Sequence, residues 1–207
     1  MKNLNVISFN ELNCYVLTLE TSGLVDLFVR AVYKQIIVHT LNHFIVSKGL
    51  ILYGWCLMPN RLYLVCRTAK GVQLTDLRAQ FKQFTTEKII DAIEVEPDEK
   101  KSWLVERFSR YTGLLRTARN INCWKPMANP LVLDMRRPDL IAEQIELIHS
   151  LPVKERIVLF PEDYLYSSAR DYDGAEGLVK IIKLSPIEQE IDAIKNRKSS
   201  FKVRNYK

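Results

Sequence analysis

Leu50-Ile-Leu-Tyr-Gly-Trp-Cys-Leu-Met-Pro-Asn-Arg-Leu-Tyr-Leu-Val-Cys-Arg67 is the stretch on which the fold turns. Two β-rich runs, Leu50 to Met58 and Leu62 to Arg67, flank Pro59-Asn60-Arg61, and so short a connection implies an antiparallel hairpin. Upstream, residues 14–20 (Cys-Tyr-Val-Leu-Thr-Leu-Glu) read as a first strand. Between strand and hairpin, from Val25 to Lys48, apolar residues recur at helical spacing through Phe28, Val32, Ile36, Ile37, Leu41, Phe44 and Ile45. Gly49 then stands in a plausible C′ position. Downstream, Leu74, Leu77, Phe81, Phe84, Ile89 and Ala92 mark the clearest helix in the chain.

The later elements are read more coarsely. Pro97 interrupts the helical pattern, and Lys100 to Arg119 forms a further, more basic helical stretch. Residues 121–134 read as a strand region bent or broken by Pro126 and Pro130. Pro138 opens a helix with two adjoining apolar rows, Ile141/Ile145/Ile148 and Leu140/Leu147/Leu151, and Pro152 is expected to stop it. Pro161 to Tyr172 reads as an aromatic-rich surface loop and Leu178 to Leu184 as a short strand. The order β-α-β-β-α predicts an α+β fold, a ferredoxin-like antiparallel sheet with helices packed on one face. One domain is expected over residues 1–184, followed by a basic tail over 185–207.

The 207 residues, 47% hydrophobic and 26% charged, exclude wholesale disorder. No apolar run is long enough to span a bilayer, and the first twenty residues lack the apolar core of a signal peptide. A cytoplasmic protein with no membrane partner is therefore expected. Cys14, Cys56, Cys66 and Cys123 are scattered without zinc-type spacing, which favours buried free thiols. The net charge of +6 is carried wholly by Lys195, Arg197, Lys198, Lys202, Arg204 and Lys207, leaving residues 1–194 neutral. A basic total thus says nothing about the body, and nucleic-acid affinity has to be argued from local patches.

Chemical motifs are mostly missing. There is no phosphate-binding glycine loop, nucleophile elbow, zincin helix or calcium loop. His39 and His43, four apart on the first helix, could face one metal, but nothing beside them supplies a third ligand; a surface or partly buried pair is the plainer reading.

The hairpin core, Trp55-Cys-Leu-Met-Pro-Asn-Arg-Leu-Tyr-Leu-Val65, resembles the signature strand of single-tyrosine HUH transposases, in particular the REP-associated tyrosine transposase group. That family reads W-x-x-M-P-N-H-x-H-L there. Leu74 to Ile90, containing Phe81-Lys-Gln-Phe-Thr85, is similar to the helix that follows, and Glu146-Leu-Ile-His-Ser-Leu-Pro-Val153 to the tyrosine-bearing motif D-Y-I-H-x-N-P-V. Pro161 to Tyr172 resembles the closing motif, so the resemblance spans about residues 13–184.

In that family two histidines and a helix asparagine hold Mg or Mn, which polarises a scissile phosphate of single-stranded DNA, and a tyrosine attacks phosphorus to form a covalent link. Carried over by position, the histidines are Arg61 and Tyr63, the tyrosine is Leu147 and the asparagine is Leu151. A guanidinium cannot ligate a metal and leucine has no nucleophilic atom. No catalytic residue, metal or cofactor is therefore expected. Tyr63, Tyr53, Tyr15 and His149 remain nearby, but a phenol with neither metal nor base is a poor nucleophile at neutral pH.

Binding could survive the loss of catalysis. Lys101, Arg107, Arg110, Arg116, Arg119 and Lys125 are interleaved with Trp103, Phe108, Tyr111 and Trp124, against the one acid Glu106. Cations with aromatic faces suit single-stranded or hairpin DNA; the alternative is a solvated helix whose aromatics point into the core. Arg61 fits either a phosphate contact or a hairpin salt bridge. The resemblance thus implies an inactive, transposase-like DNA-binding protein, with a homodimer possible. An interaction protein that pairs with an active paralogue and a divergent nicking enzyme are the alternatives.

Overall fold

The computed structural model describes residues 13–109, 122–126 and 128–184. The basic tail and Arg110, Arg116 and Arg119 lie outside the described residues. Four strands, β1 (Asn13–Glu20), β2 (Leu50–Met58), β3 (Arg61–Thr68) and β4 (Leu131–Asp134), form one antiparallel sheet in the order β2-β3-β1-β4. With helices α1 (Ala31–Ser47) between β1 and β2, and α2 (Leu74–Glu94) between β3 and β4, this is the ferredoxin-like arrangement. α3 (Asp98–Ser109), α4 (Pro138–Lys154) and a single turn, α5 (Ala169–Tyr172), complete the described helices.

Local chemistry accounts for most element limits. α1 ends at Lys48, whose amide still bonds to Phe44 O, and Gly49 follows at φ 77°, the left-handed conformation that a C′ glycine adopts without penalty. The helix begins at Ala31 rather than near Val25, because two short 3-10 turns, Ser22–Leu24 and Leu27–Val29, occupy the approach. α4 runs through Pro152 to Lys154. Proline at that point removes only its own amide, and the last turn closes regardless.

Both faces of the sheet are buried, which explains why nearly every residue of β2 is buried. α1 and α2 share one face: Leu17, Leu19, Leu52, Trp55, Leu57, Leu62 and Leu64 pack with Ile37, Leu41, Phe44, Phe81 and Ile89. α4 covers the other, setting Ile141, Ile145 and Ile148 against Cys14, Tyr53, Cys56 and Val65. A bulge at Tyr53 resets the alternation along β2, because Leu52 pairs with Cys66 and Gly54 already pairs with Val65. Gly54 lies directly under Ile145, where a Cβ would come within 3.0 Å of Cγ1.

The segment read as a surface loop and a strand is a strap along the outer edge of β2. Leu57 N bonds to Tyr166 O (2.9 Å), Ser168 N to Trp55 O (3.0 Å) and Ile182 N to Leu52 O (2.8 Å). Ser167, Ser168 and Val179 are fully buried. Residues 178–184 form no strand, and the described residues of the 121–134 region contribute β4 and an isolated bridge between Trp124 and Thr21. The strap saturates an edge that would otherwise be open to pairing.

All four cysteines are free and buried, as their spacing suggested. Burial pushes the Cys14, Cys56 and Cys123 thiols up to about 12, so none is a thiolate at neutral pH. No described helix is long and apolar enough to cross a membrane.

Candidate functional site

The hairpin turn, the loop after β1 and the end of α4 enclose a cleft of about 360 Å³. Its walls include Asp26, Asn60, Arg61, Tyr63, Leu151 and Glu155. Three of the four positions that the sequence resemblance associates with catalysis thus meet in one cavity. Leu147, one turn earlier on α4, is 47% exposed outside the buried face of that helix.

Arg61 is not free in this cleft. It is the register partner of Glu20 at the ends of β3 and β1, and its Nε donates to Glu20 Oε1 at 2.8 Å. Lys125 Nζ donates to the other carboxylate oxygen at 2.7 Å. These two bonds, that of Lys125 first, hold the Glu20 carboxyl below its usual range. Burial raises the Tyr63 phenol above its ordinary value, and the smaller opposing pull of Arg61 does not offset it. The Tyr63 hydroxyl is therefore less ionised than a phenol in water.

The side chains at the positions where the resemblance places metal donors are not metal ligands of that kind. A guanidinium, a protonated phenol and a leucine replace three donors, and no group of three His, Cys, Asp or Glu side chains among the described residues could hold a metal ion. His39 is exposed, and His43 stacks on Phe84 with centroids 5.4 Å apart, so that pair is a surface feature of α1. His149, in the tyrosine-like motif, is buried. Its Nε2 lies 2.7 Å from Ser168 Oγ, which also accepts the Trp55 amide at 2.9 Å, and burial lowers its pKa to about 4. It fastens the strap to α4 and stays neutral.

The basic stretch divides. Trp124 is a core residue, with its indole N–H donating to Thr85 Oγ1 (2.8 Å) and its ring 5.6 Å from Phe28; Phe108 is wholly buried. Lys101 pairs with Glu94, and Lys125 with Glu20. Arg107 lies over the Trp103 ring, 5.5 Å from its centroid, and both are exposed on α3. Trp103 and Arg107 are thus the described aromatic–cation pair of this stretch that faces solvent. Glu20, Asp26 and Glu155 escaped the sequence reading. Glu20 ends the first strand and could be linked to Arg61 only through the β1–β3 register.

The chain matches no protein-family profile and no curated protein sequence. It is similar to a solved structure of a REP-associated tyrosine transposase bound to a REP hairpin, with a TM-score of 0.53 at 13% identity. The match covers 90% of this chain and 94% of that one. At this identity the likeness is one of fold, and it agrees with the architecture that the hairpin motif implied.

Proposed function

We propose that this chain is a non-cleaving relative of the tyrosine transposases that binds single-stranded or hairpin DNA. One observation carries the reading. In the cleft where the resemblance expects two metal-binding imidazoles, Arg61 is bonded to Glu20, Tyr63 is a raised-pKa phenol, and α4 offers Leu151. Such a site can meet a phosphate-bearing strand through the partly screened Arg61, but it lacks the metal-bound imidazoles and the activated tyrosine that an attack on phosphorus in that family uses. DNA as the ligand is supported by the fold likeness and by Trp103 with Arg107, which offer a base-stacking ring and a cation on one helix.

Gel-shift titration with hairpin and linear oligonucleotides of equal length tests the binding. The proposal expects saturable binding that prefers the hairpin. No binding at low salt would leave a protein-interaction role as the better account.

A further inference from the structure

We infer that a slot beside β1 is a guanine-binding subsite; that a DNA strand supplies the base rests on the reading above. The slot exists because the ladder between β1 and β4 stops early. Val16 pairs with Leu131, and contact with β1 resumes only at Thr21, which bridges to Trp124. A continued ladder would set Leu17 against Pro130 and Thr18 against Asn129. Pro130 has no amide to offer, and the chain stands off there. A cavity of about 190 Å³ opens between Leu17 and Thr18 on one side and Ala128, Asn129 and Pro130 on the other, with Arg78 of α2 in its wall. That is well under the roughly 300–1,000 Å³ of a drug-sized pocket and suits one planar ring. Two bonds tie the far wall to α2 instead of β1. Lys82 Nζ donates to Lys125 O at 2.6 Å, and Arg78 Nη2 donates to Ala128 O at 2.8 Å.

The polar groups of the slot specify the ring. Glu20 O accepts the Lys125 amide at 2.9 Å on the edge of β1 away from β3. By the alternation of the strand, the N–H and C=O of Thr18 point from that same edge, toward the slot. They find no backbone partner there among the described residues. Arg78 carries five N–H donors and no acceptor. Among the described residues it has Ala128 O as a partner and no carboxylate, and its Nε is enclosed without any. An enclosed donor is costly to leave unpaired, and an acceptor in the slot relieves it. Guanine matches this set. Its O6 and N7 accept from Arg78 and from Thr18 N–H, and its N1–H donates to Thr18 C=O. Adenine carries an amino group, a donor, where guanine has O6. Thr18 is also the register partner of Tyr63, one strand over at about 5 Å. A strand whose phosphate meets Arg61 therefore has a neighbouring base within reach of the slot.

Nuclear magnetic resonance titration of the isotope-labelled full chain with deoxyguanosine, deoxyinosine and deoxyadenosine monophosphates tests this at the Thr18 amide. Inosine keeps O6, N7 and N1–H, and the sugar and phosphate are common to all three. Saturable movement of that amide with the first two and not the third is expected. In a second arm, oligodeoxycytidine strands with one central guanine or adenine are compared by fluorescence anisotropy. The guanine strand should bind about tenfold more tightly. Arg78→Lys keeps the charge but loses the fork, so it should erase that difference and leave general affinity in place. A Thr18 amide that stays still, or moves equally with the adenine nucleotide, overturns the inference even where strands bind. So does a guanine preference that survives Arg78→Lys in a folded variant. Guanine nucleotide binding at Thr18 with no strand binding would keep the slot as a site for free nucleotide and remove the DNA reading instead.

Discussion

Arg61 and Glu20 are register partners across β3 and β1 and are joined by a 2.8 Å bond from the guanidinium Nε to Oε1. Lys125 takes the second oxygen, so one carboxylate screens two cations that the sequence offers to a phosphate backbone. The cluster is part-exposed, with about a third of each side chain accessible, and its contribution to folding is correspondingly small.

Replacing Glu20 with glutamine should release both cations. Affinity for single-stranded DNA is expected to rise, and the slope of log K against log salt to steepen by up to about 1.4, roughly 0.7 for each new phosphate contact. Stability should change by less than about 1 kcal/mol. Fluorescence anisotropy across a salt series measures the slope; no change would place Arg61 and Lys125 outside the DNA path.

His149 makes folding sensitive to mild acid. Its folded pKa of about 4 lies below the ordinary 6.5, so the unfolded chain binds the proton more readily between those values. The stability held by the neutral imidazole is complete above pH 6.5 and is lost as the pH falls toward 4, by about 3 kcal/mol over that window. Thermal melts from pH 7 to pH 4 should show the decline, and His149→Gln should flatten it.

Gly54→Ala should loosen α4. The added Cβ would sit 3.0 Å from Ile145 Cγ1 and 3.3 Å from Cγ2, and the crowding is expected to cost about 1–3 kcal/mol in a urea melt. An unchanged midpoint would mean that α4 shifts freely over β2.

Trp103→Ala removes an exposed ring, so the melting temperature should hold. Loss of a stacked base should weaken single-strand binding by about 1–3 kcal/mol. Trp124→Ala should do the reverse, costing about 3–5 kcal/mol of stability through an emptied core site. Comparing the two by melting and anisotropy separates a binding aromatic from a packing one.

The hairpin, α2 and the Gly49 terminus were legible in the sequence because their signals are local: a short connection, a helical period, a residue suited to positive φ. The placement of α4 was not. Its two apolar rows look alike in sequence, and only the sheet decides that the Ile141 row is buried while Leu147 stays outside. The strap over 161–184 misread as loop and strand because its hydrogen bonds go to β2 more than a hundred residues away, as Tyr164 Oη to Leu57 O does. The cleft positions Arg61, Tyr63 and Leu151 could be named from the motif, but the screening of Arg61 by Glu20 depends on a non-local register that no local pattern encodes.

The absence of strand cleavage is tested most directly by incubating end-labelled hairpin and linear single strands with the protein and magnesium or manganese, then resolving the mixture on a denaturing protein gel. The account predicts no labelled protein band and no shortened strand at any metal concentration. A labelled band that Tyr63→Phe abolishes would contradict it, because the phenol beside Arg61 would then be a working nucleophile.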